Sequence, residues 1–420
     1  MGSIDLTVLA VVLLGFALLS QRSRRWPVTM PMVMVTAGLL SHAVGLVDLD
    51  LSGSRIEMVG EGALALVLFS DAVRLDPGAL RRERGMPLRL LAVGLPLSIL
   101  LGAGIVAALL PALSLAQAAL LAAVLAPTDP ALGQAVVDDR SVPLKVRQSL
   151  NVESGLNDGL VLPVVLLLLS LAGAQSAAES WPIYFAQQVG LGVALGAGIG
   201  AAGGFLLRRA LSAAWADGLF AQLGTLAIAV LALAAAQAAG GNGFVAAFVG
   251  GLAFAAFARG RADHLVEYTE DSGQLLAAAS FFLFGNVLVP IGLHRPSPAV
   301  VVCAVATLTV GRLLPVAVSL IRSGTAWQTQ AFVGWFGPRG LASIVFGLIL
   351  LEEHVPRAQQ LFSVIVLTVL LSVVAHGATA GWGARRYGAW YAASGRHEAS
   401  AAESQPVREH RSRWRGNFSG

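Results

Sequence analysis

Long apolar segments alternate with short polar connections along most of this chain. A run of about 20 apolar residues can cross the hydrocarbon core of a bilayer as one helix. Read with that length, the sequence predicts about thirteen transmembrane helices. We place them at residues 4–20, 27–47, 55–73, 87–111, 115–137, 148–173, 184–207, 218–239, 241–258, 273–292, 298–321, 329–351 and 360–382.

The two ends of this pattern predict one transmembrane unit and a tail. Residues 1–382 form the unit, and residues 383–420 are polar, with too few apolar side chains to build a core. We expect this tail to be short, cytoplasmic and disordered. Its arginines could lie against anionic lipid, but a solvated tail is the favoured alternative.

Composition supports an integral membrane protein. Hydrophobic residues make up 56% of the chain and charged residues 12%, against about 25% charged in soluble domains. The single cysteine, Cys303, excludes a disulfide framework and a cysteine-based metal site. No phosphate loop or basic-aromatic platform is present in the sequence, so neither a cofactor nor nucleic acid is expected.

The basic residues predict an orientation in the cell membrane. If the N-terminus lies outside, the odd-numbered connections face the cytoplasm, where positive charges accumulate. The even connections then hold only Arg295 and Arg357, with Arg55 at one rim. The odd connections hold Arg22, Arg24, Arg25, Arg74, Arg81, Arg82, Arg84, Arg140, Lys145, Arg147, Arg208, Arg209, Arg259, Arg261 and Arg322.

Two predicted helices are interrupted at mid-depth. The fifth contains Ala126-Pro127-Thr128-Asp129-Pro130, and the twelfth contains Phe336-Gly337-Pro338-Arg339-Gly340. Proline and glycine free backbone groups that are tolerated in a membrane only around a cavity or inside protein. A simple proline kink is the alternative for either one alone. The matched positions instead favour two inverted six-helix repeats whose broken helices cross, as in secondary transporters.

The sixth predicted helix carries the polar sequence Glu153-Ser154-Gly155-Leu156-Asn157-Asp158. Ser154 and Asp158 are four residues apart and share a helix face, whereas Glu153 points about 140° away from Asp158. Asp158 lies about 15 Å into its helix, near the bilayer midplane. Burial there disfavours the charged form unless a cation replaces the lost water. Asp158 would therefore hold either a proton or a metal cation.

Further oxygen atoms could complete a cation site around Asp158. A hard cation such as sodium needs several oxygen ligands. Asp158 and Ser154 supply two, and the interruption of the fifth helix could add Thr128 and the Asp129 region. Asp71 could line the cytoplasmic approach, or it could be a headgroup-level residue that pairs with Arg74. Glu61, also within the membrane, has no predicted role beyond a paired or cavity-facing acid.

Two embedded arginines need counter-charges, because an unpaired guanidinium at that depth is costly. Glu153 is the natural partner of Arg312, and either Asp129 or helix-end carbonyls could serve Arg339. A structural role is favoured for Arg312. Such pairing would leave Asp158 as the titrating carboxylate, so one proton would exchange for one monovalent cation.

These residues resemble a known family, the cation/proton antiporters of the NhaP and eukaryotic sodium/proton exchanger type. The resemblance covers about residues 5–382. Residues 153–158 are similar to the family's E-S-x-x-N-D motif, and Gly337-Pro338-Arg339-Gly340 to its G-x-R-G. Thr128-Asp129-Pro130 and Gly243-Phe244-Val245-Ala246 match as well. Arg312 matches the arginine that bonds the motif glutamate, and Asp71 an acidic residue of the ion path.

The resemblance implies a homodimer in which a core domain moves like an elevator against a dimerisation domain. It also implies electroneutral exchange, because Asn157 stands where electrogenic relatives carry a second aspartate. The cargo would be Na⁺, with Li⁺ or K⁺ as alternatives, exchanged for H⁺ without a cofactor. Two departures, Gly155 and Pro338, could alter the local geometry of the motifs.

Two other functional classes are weaker. An intramembrane aspartyl protease needs two facing aspartates that share a proton, and Asp129 with Asp158 is the only plausible pair. The neighbouring Pro127, Pro130 and Asn157 fit an ion site better. A channel is disfavoured because matched broken helices and a titrating acid indicate alternating access.

Overall fold

The chain is built from helices. The computed structural model describes residues 3–23, 28–45, 53–75, 85–173, 181–258, 260–294, 296–353, 355–394 and 403, and no strand occurs within these ranges. The helices are α1 Ser3–Ser23, α2 Met30–Ala43, α3 Gly53–Val73, α4 Met86–Leu109, α5 Leu115–Val124, α6 Pro130–Val137, α7 Leu144–Gly173, α8 Trp181–Ser212, α9 Gly218–Ala238, α10 Gly243–Ala258, α11 Ala262–Leu265, α12 Glu267–Gly292, α13 Pro298–Ser319, α14 Trp327–Trp335, α15 Leu341–Glu352 and α16 Ala358–Ala393.

The prediction of an all-helical polytopic membrane protein is confirmed. Each predicted span overlaps one helix or one pair of short helices. Within the described ranges, seven uninterrupted helices are long and apolar enough to cross a membrane: α4, α7, α8, α9, α12, α13 and α16. The total of about thirteen crossings stays a prediction.

The last helix continues past the predicted boundary at residue 382 and ends at Ala393. Aromatic packing explains the extension, because Tyr387 stacks on Phe332 of α14 with ring centroids 4.2 Å apart. Of the chain beyond residue 394, only Glu403 is described. Its carboxylate accepts the backbone N–H of Ala326 at 2.8 Å and the hydroxyl of Thr329 at 2.9 Å, at the start of α14.

The helices pack in two groups. One contains α2, α3, α8, α9, α10 and α12, and the other contains α4 to α7 and α13 to α16. Within the first group, four glycines spaced four residues apart form a stripe on α8. A Cβ on any of them would overlap a carbonyl oxygen at the start of α10 or within it, so the two helices meet backbone to backbone. The stripe is Gly192, Gly196, Gly200 and Gly204.

The second group contains both broken spans. Residues 125–129 separate α5 from α6, and residues 336–340 separate α14 from α15. Proline stands at the first position of α6, where its missing N–H costs nothing. The backbone N–H of Asp129 donates to the carbonyl of Pro338 at 2.7 Å, so the two interruptions cross in contact.

Candidate functional site

The carboxylate of Asp129 lies at the centre of the crossing. One oxygen accepts the N–H of Ala131 at 2.8 Å, at the start of α6. The other accepts the N–H of Leu341 at 3.0 Å, at the start of α15. Both half-helices present the positive end of their dipoles there. A single acid therefore caps two helix N-termini and ties the two broken spans together.

Two glycines at the second interruption make room for charged side chains. A Cβ at Gly340 would overlap the Asp129 carboxylate. A Cβ at Gly337 would lie 2.5 Å from Nε of Arg312. Steric access therefore explains why glycine suits both positions.

Arg339, 3% exposed, is held by helix-end carbonyls. Its guanidinium donates to the carbonyls of Ala126 at 2.6 Å and Pro127 at 3.1 Å, which end the first half of the broken fifth span. Its backbone N–H donates to the hydroxyl of Ser372 on α16 at 2.7 Å. Of the two partners that the sequence left open, the carbonyls receive the guanidinium hydrogen bonds.

Glu153 and Arg312 form a bidentate ion pair inside the second helix group. The guanidinium donates to the two carboxylate oxygens at 2.5 and 2.8 Å, and each residue is 2% exposed. Bidentate geometry is the strongest form of this pair. The carboxylate of Glu153 is therefore neutralised by a partner that stays protonated.

Thr128 connects the first interruption to α7. Its hydroxyl lies 2.9 Å from the hydroxyl of Ser154, and it accepts a hydrogen bond from the side-chain amide of Asn157 at 2.7 Å. The amide of Asn157 donates to one lone pair of the Thr128 hydroxyl. The hydroxyl hydrogen of Thr128 can therefore be directed to the hydroxyl of Ser154. The amide of Asn157 thus positions the hydroxyl of Thr128.

Asp158, 5% exposed, borders a small cavity beside this network. The cavity measures about 40 Å³ and is also lined by Thr128, Asp129 and Gln274. A single water needs roughly 10–15 Å³ of such space, so the volume suits a small cation with one or two waters. Among the described residues, no group of three or more His, Cys, Asp or Glu side chains is arranged as a metal site.

Asp71 lies on α3, in the first helix group, and is 9% exposed. It does not line the Asp158 cavity, although Val67, one turn earlier on the same helix, does. The neighbouring Arg74 forms an ion pair with Glu270 of α12. The structure therefore places Asp71 on α3, outside the set of residues that line the Asp158 cavity.

A second, larger cleft lies between the two helix groups. It measures about 530 Å³ and is lined by Glu61 of α3, by Glu352 and Glu353 at the end of α15, and by the C-terminal part of α7. The side-chain amide of Gln237 donates to Glu61 at 3.2 Å. Glu61 is therefore both hydrogen-bonded and cavity-facing, the role that its position in the sequence suggested.

Three residues near the crossing were missed from the sequence. Gln274 lines the Asp158 cavity from α12, and Ser372 and His376 of α16 reach the second interruption. His376 is hydrogen-bonded to Ser372 and to the carbonyl of Trp335. The sequence signal for Ser372 and His376 is a polar side chain inside an apolar helix, whereas Gln274 follows a polar stretch at the start of α12.

Comparison with known proteins agrees with this architecture. The K⁺/H⁺ antiporter NhaP of Alkalimonas amylolytica is 27% identical over 387 residues, which cover 90% of this chain and 66% of the relative. The K⁺/H⁺ antiporter NhaP2 of Shewanella oneidensis is 27% identical over 86% of this chain and 63% of its own length. The chain thus spans just under two thirds of these two relatives. The Na⁺/H⁺ antiporter of Schizosaccharomyces pombe is 25% identical, with 80% of each protein covered.

The fold is also that of a solved transporter. The sodium proton antiporter MjNhaP1 from Methanocaldococcus jannaschii superposes with a TM-score of 0.71 at 19% identity, and the match covers 91% of this chain and 98% of that one. A family model described as sodium/hydrogen exchanger, transmembrane, matches residues 8–385. The resemblance drawn from the motifs is therefore confirmed, and the chain belongs to the sodium/hydrogen exchanger family of membrane proteins.

Proposed function

We propose that this protein is a monovalent cation/proton antiporter in which Asp158 binds either the cation or the proton. The observation that carries the proposal is the position of Asp158 on a small cavity at the crossing of two broken helices. Glu153 is neutralised by Arg312, and the carboxylate of Asp129 caps two helices. These contacts favour Asp158 as the carboxylate that changes partners.

The cation site would use oxygen ligands from two elements. Asp158 and Ser154 come from α7, and the hydroxyl or carbonyl of Thr128 comes from the first interruption. We propose Na⁺ as the cargo, in line with the sodium/hydrogen exchanger family model, and the cavity of about 40 Å³ has room for it. K⁺ is the alternative, since two of the relatives are named K⁺/H⁺ antiporters.

The same arrangement supports electroneutral exchange. A protonated Asp158 and a cation-bound Asp158 carry the same net charge, and the amide of Asn157 stays neutral in both states. One proton would therefore move against one monovalent cation. Family members transport ions, and no cofactor is known for this kind of protein.

The enzymatic alternative is disfavoured by the contacts of Asp129. An aspartyl dyad shares one proton between two facing carboxylates. Both oxygens of Asp129 instead accept backbone N–H groups at the starts of two helices, so neither is left facing a second carboxylate.

Alternating access would follow from movement of the two helix groups against each other. The crossing and Asp158 lie in the second group, whereas α3, α10 and α12 form the facing wall. We propose that the second group is the moving core and that the first forms a homodimer contact. The 530 Å³ cleft would be the outer access path, and Asp71 would lie on the cytoplasmic path, with the N-terminus outside.

Reconstituted vesicles test the proposal. Protein is incorporated with a pH-sensitive dye inside, a pH gradient is imposed, and Na⁺, Li⁺, K⁺ or choline is added outside. Cation-driven proton movement with at least one alkali ion, and none with choline, is the expected result. Identical dye responses with all four cations would overturn antiport. A preference for K⁺ over Na⁺ would overturn only the choice of cargo.

A further inference from the structure

A deep aromatic groove runs between α14 and α16, apart from the ion site. It measures about 720 Å³. Its floor is made of Phe332, Phe336 and Tyr387, which are all buried. Its rims carry the exposed indoles of Trp327 and Trp382, at 72% and 58% exposure.

The groove has one apolar end and one cationic end. Trp335 and Thr379 lie at the apolar end, where the indole N–H donates to the threonine hydroxyl at 3.0 Å. Arg386 lies at the other end, with its guanidinium 5.5 Å from the ring centre of Trp382. Among the described residues, no carboxylate forms a salt bridge with Arg386. Its positive charge is therefore available to a ligand.

The positions along α16 place these two ends at different depths in the bilayer. Ser372 of α16 is hydrogen-bonded to Arg339 at the crossing, which we expect near the midplane. Thr379 is about 10 Å further along the helix and Arg386 about 21 Å further, at 1.5 Å per residue. Half of the hydrocarbon core is about 15 Å. The apolar end thus lies at acyl-chain depth and Arg386 at headgroup depth.

We propose that this groove binds one anionic phospholipid of the membrane. An acyl chain would lie along Phe332 and Trp335, and the phosphate would be held by Arg386. The exposed indoles suit this position, since tryptophan prefers the boundary between apolar and wet regions. Guanidinium groups bind phosphate through charge-assisted hydrogen bonds.

Charge distinguishes the lipid from the arginine-rich end of the chain, after Glu403, as the occupant. The sequence that follows Glu403 contains four arginines and one acid, Glu409, so it carries the same sign as Arg386. An anionic headgroup is complementary to the groove, whereas an arginine-rich segment is not.

Bound lipid would also hold α14 against α16 near the ion site. The ring of Trp335 stacks on His376 at 5.1 Å, and His376 contacts Ser372, the acceptor of the Arg339 N–H. The groove therefore reaches the second interruption directly through Phe336, which forms part of its floor, and indirectly through Trp335, His376 and Ser372.

Lipid titration by native mass spectrometry tests the proposal on the full chain. Phosphatidylglycerol and phosphatidylcholine are added separately to the detergent-purified protein. We expect Arg386→Gln to lower the affinity for phosphatidylglycerol at least about tenfold, because it removes a charge-assisted contact. Arg386→Lys should retain most of the affinity. Arg385→Gln is the matched control, since Arg385 is exposed and does not line the groove.

A second variant fills the groove without removing any charge. Ala331 is an exposed lining residue, so Ala331→Trp should abolish tight phosphatidylglycerol binding while Arg386 remains. Equal binding of the two lipids, or equal losses in Arg385→Gln and Arg386→Gln, would overturn the proposal. So would an unchanged affinity in Ala331→Trp. If the tail fills the groove instead, phosphatidylglycerol will not bind the wild type, and the proposal fails.

Discussion

Asp129 and Leu341, on different broken spans, are joined by a hydrogen bond of 3.0 Å from the backbone N–H of Leu341 to the carboxylate. The same carboxylate accepts the N–H of Ala131. Each half-helix begins inside the protein, where its first backbone N–H groups have no acceptor within the helix itself. The alignment of the crossing therefore depends on one acid. The position of Thr128, the residue just before Asp129, depends on the same acid.

Gly340→Ala should disrupt this crossing. The added Cβ would overlap the carboxylate of Asp129, so the acid or α15 must shift. We expect a loss of about 1–3 kcal/mol in stability, typical of overpacking, and a large loss of transport. Melting in detergent and flux in vesicles measure the two effects. Gly104→Ala is the control, because open space surrounds that position; equal melting of both variants would contradict the steric argument.

The Glu153–Arg312 pair should contribute to stability more than to exchange. Removing one partner leaves a buried, uncompensated charge, which costs about 3–5 kcal/mol. Glu153→Ala and Arg312→Ala should each lower the melting temperature strongly, and the double variant should lose less than the sum. Arg140→Ala controls for loss of an exposed arginine. Unchanged melting in both single variants would show that the pair is not a structural clamp.

The sequence predicted the interruptions better than their contacts. Proline and glycine at mid-helix identify residues 126–130 and 336–340, because those residue types break helices wherever they occur. The helical period also predicted that Glu153 and Asp158 lie on different faces of their helix. It does not reveal which helices are neighbours, so the partners of Asp129 and Arg339 were left open.

Residues on other helices were missed for the same reason. Ser372 is an isolated polar residue, and Gln274 ends a polar stretch at the start of α12. The local sequence of neither contains a sign that it faces the crossing. The extension of α16 to Ala393 was missed because Arg385 and Arg386 made the segment read as polar. The stacking of Tyr387 on Phe332 could not be recognised from the sequence. Hydropathy measures transfer to lipid and does not detect packing between side chains beyond the membrane core.

Replacing glycines of α8 should lower stability only on the face that packs against α10. Gly200 faces the backbone of α10, whereas a Cβ at Gly198 would meet nothing within 4 Å. Gly200→Val should separate the two helices and lower the melting temperature by several degrees, and Gly198→Val should have a small effect. Melting curves of the two variants in the same detergent check this. Equal losses would indicate that helix propensity, not close packing, governs the stripe.

Asp158→Asn should abolish exchange in a protein that remains folded. The amide has the size of the carboxylate, but it carries no negative charge. It can therefore neither take up a proton nor neutralise a cation. Cation-driven proton movement should fall to the level of empty vesicles, with an unchanged elution profile and melting curve. Asp263→Asn, at an exposed acid of α11, is the matched control. Residual sodium-dependent proton flux in Asp158→Asn would remove this carboxylate from the mechanism.

Membrane potential should leave the exchange rate unchanged. With Glu153 neutralised by Arg312, Asp158 would carry either one proton or one monovalent cation, so a full cycle would move no net charge. A potential of 100 mV acts on each net elementary charge with about 2.3 kcal/mol, enough to change the rate of an electrogenic cycle many-fold. Sodium-driven proton flux is measured in vesicles clamped at 0 and 100 mV of either sign. Equal initial rates at the three potentials support one-for-one exchange.

A rate that rises with one sign and falls with the other requires a second transported charge. Asp129 would be the first acid to examine for that charge, since it borders the same cavity as Asp158.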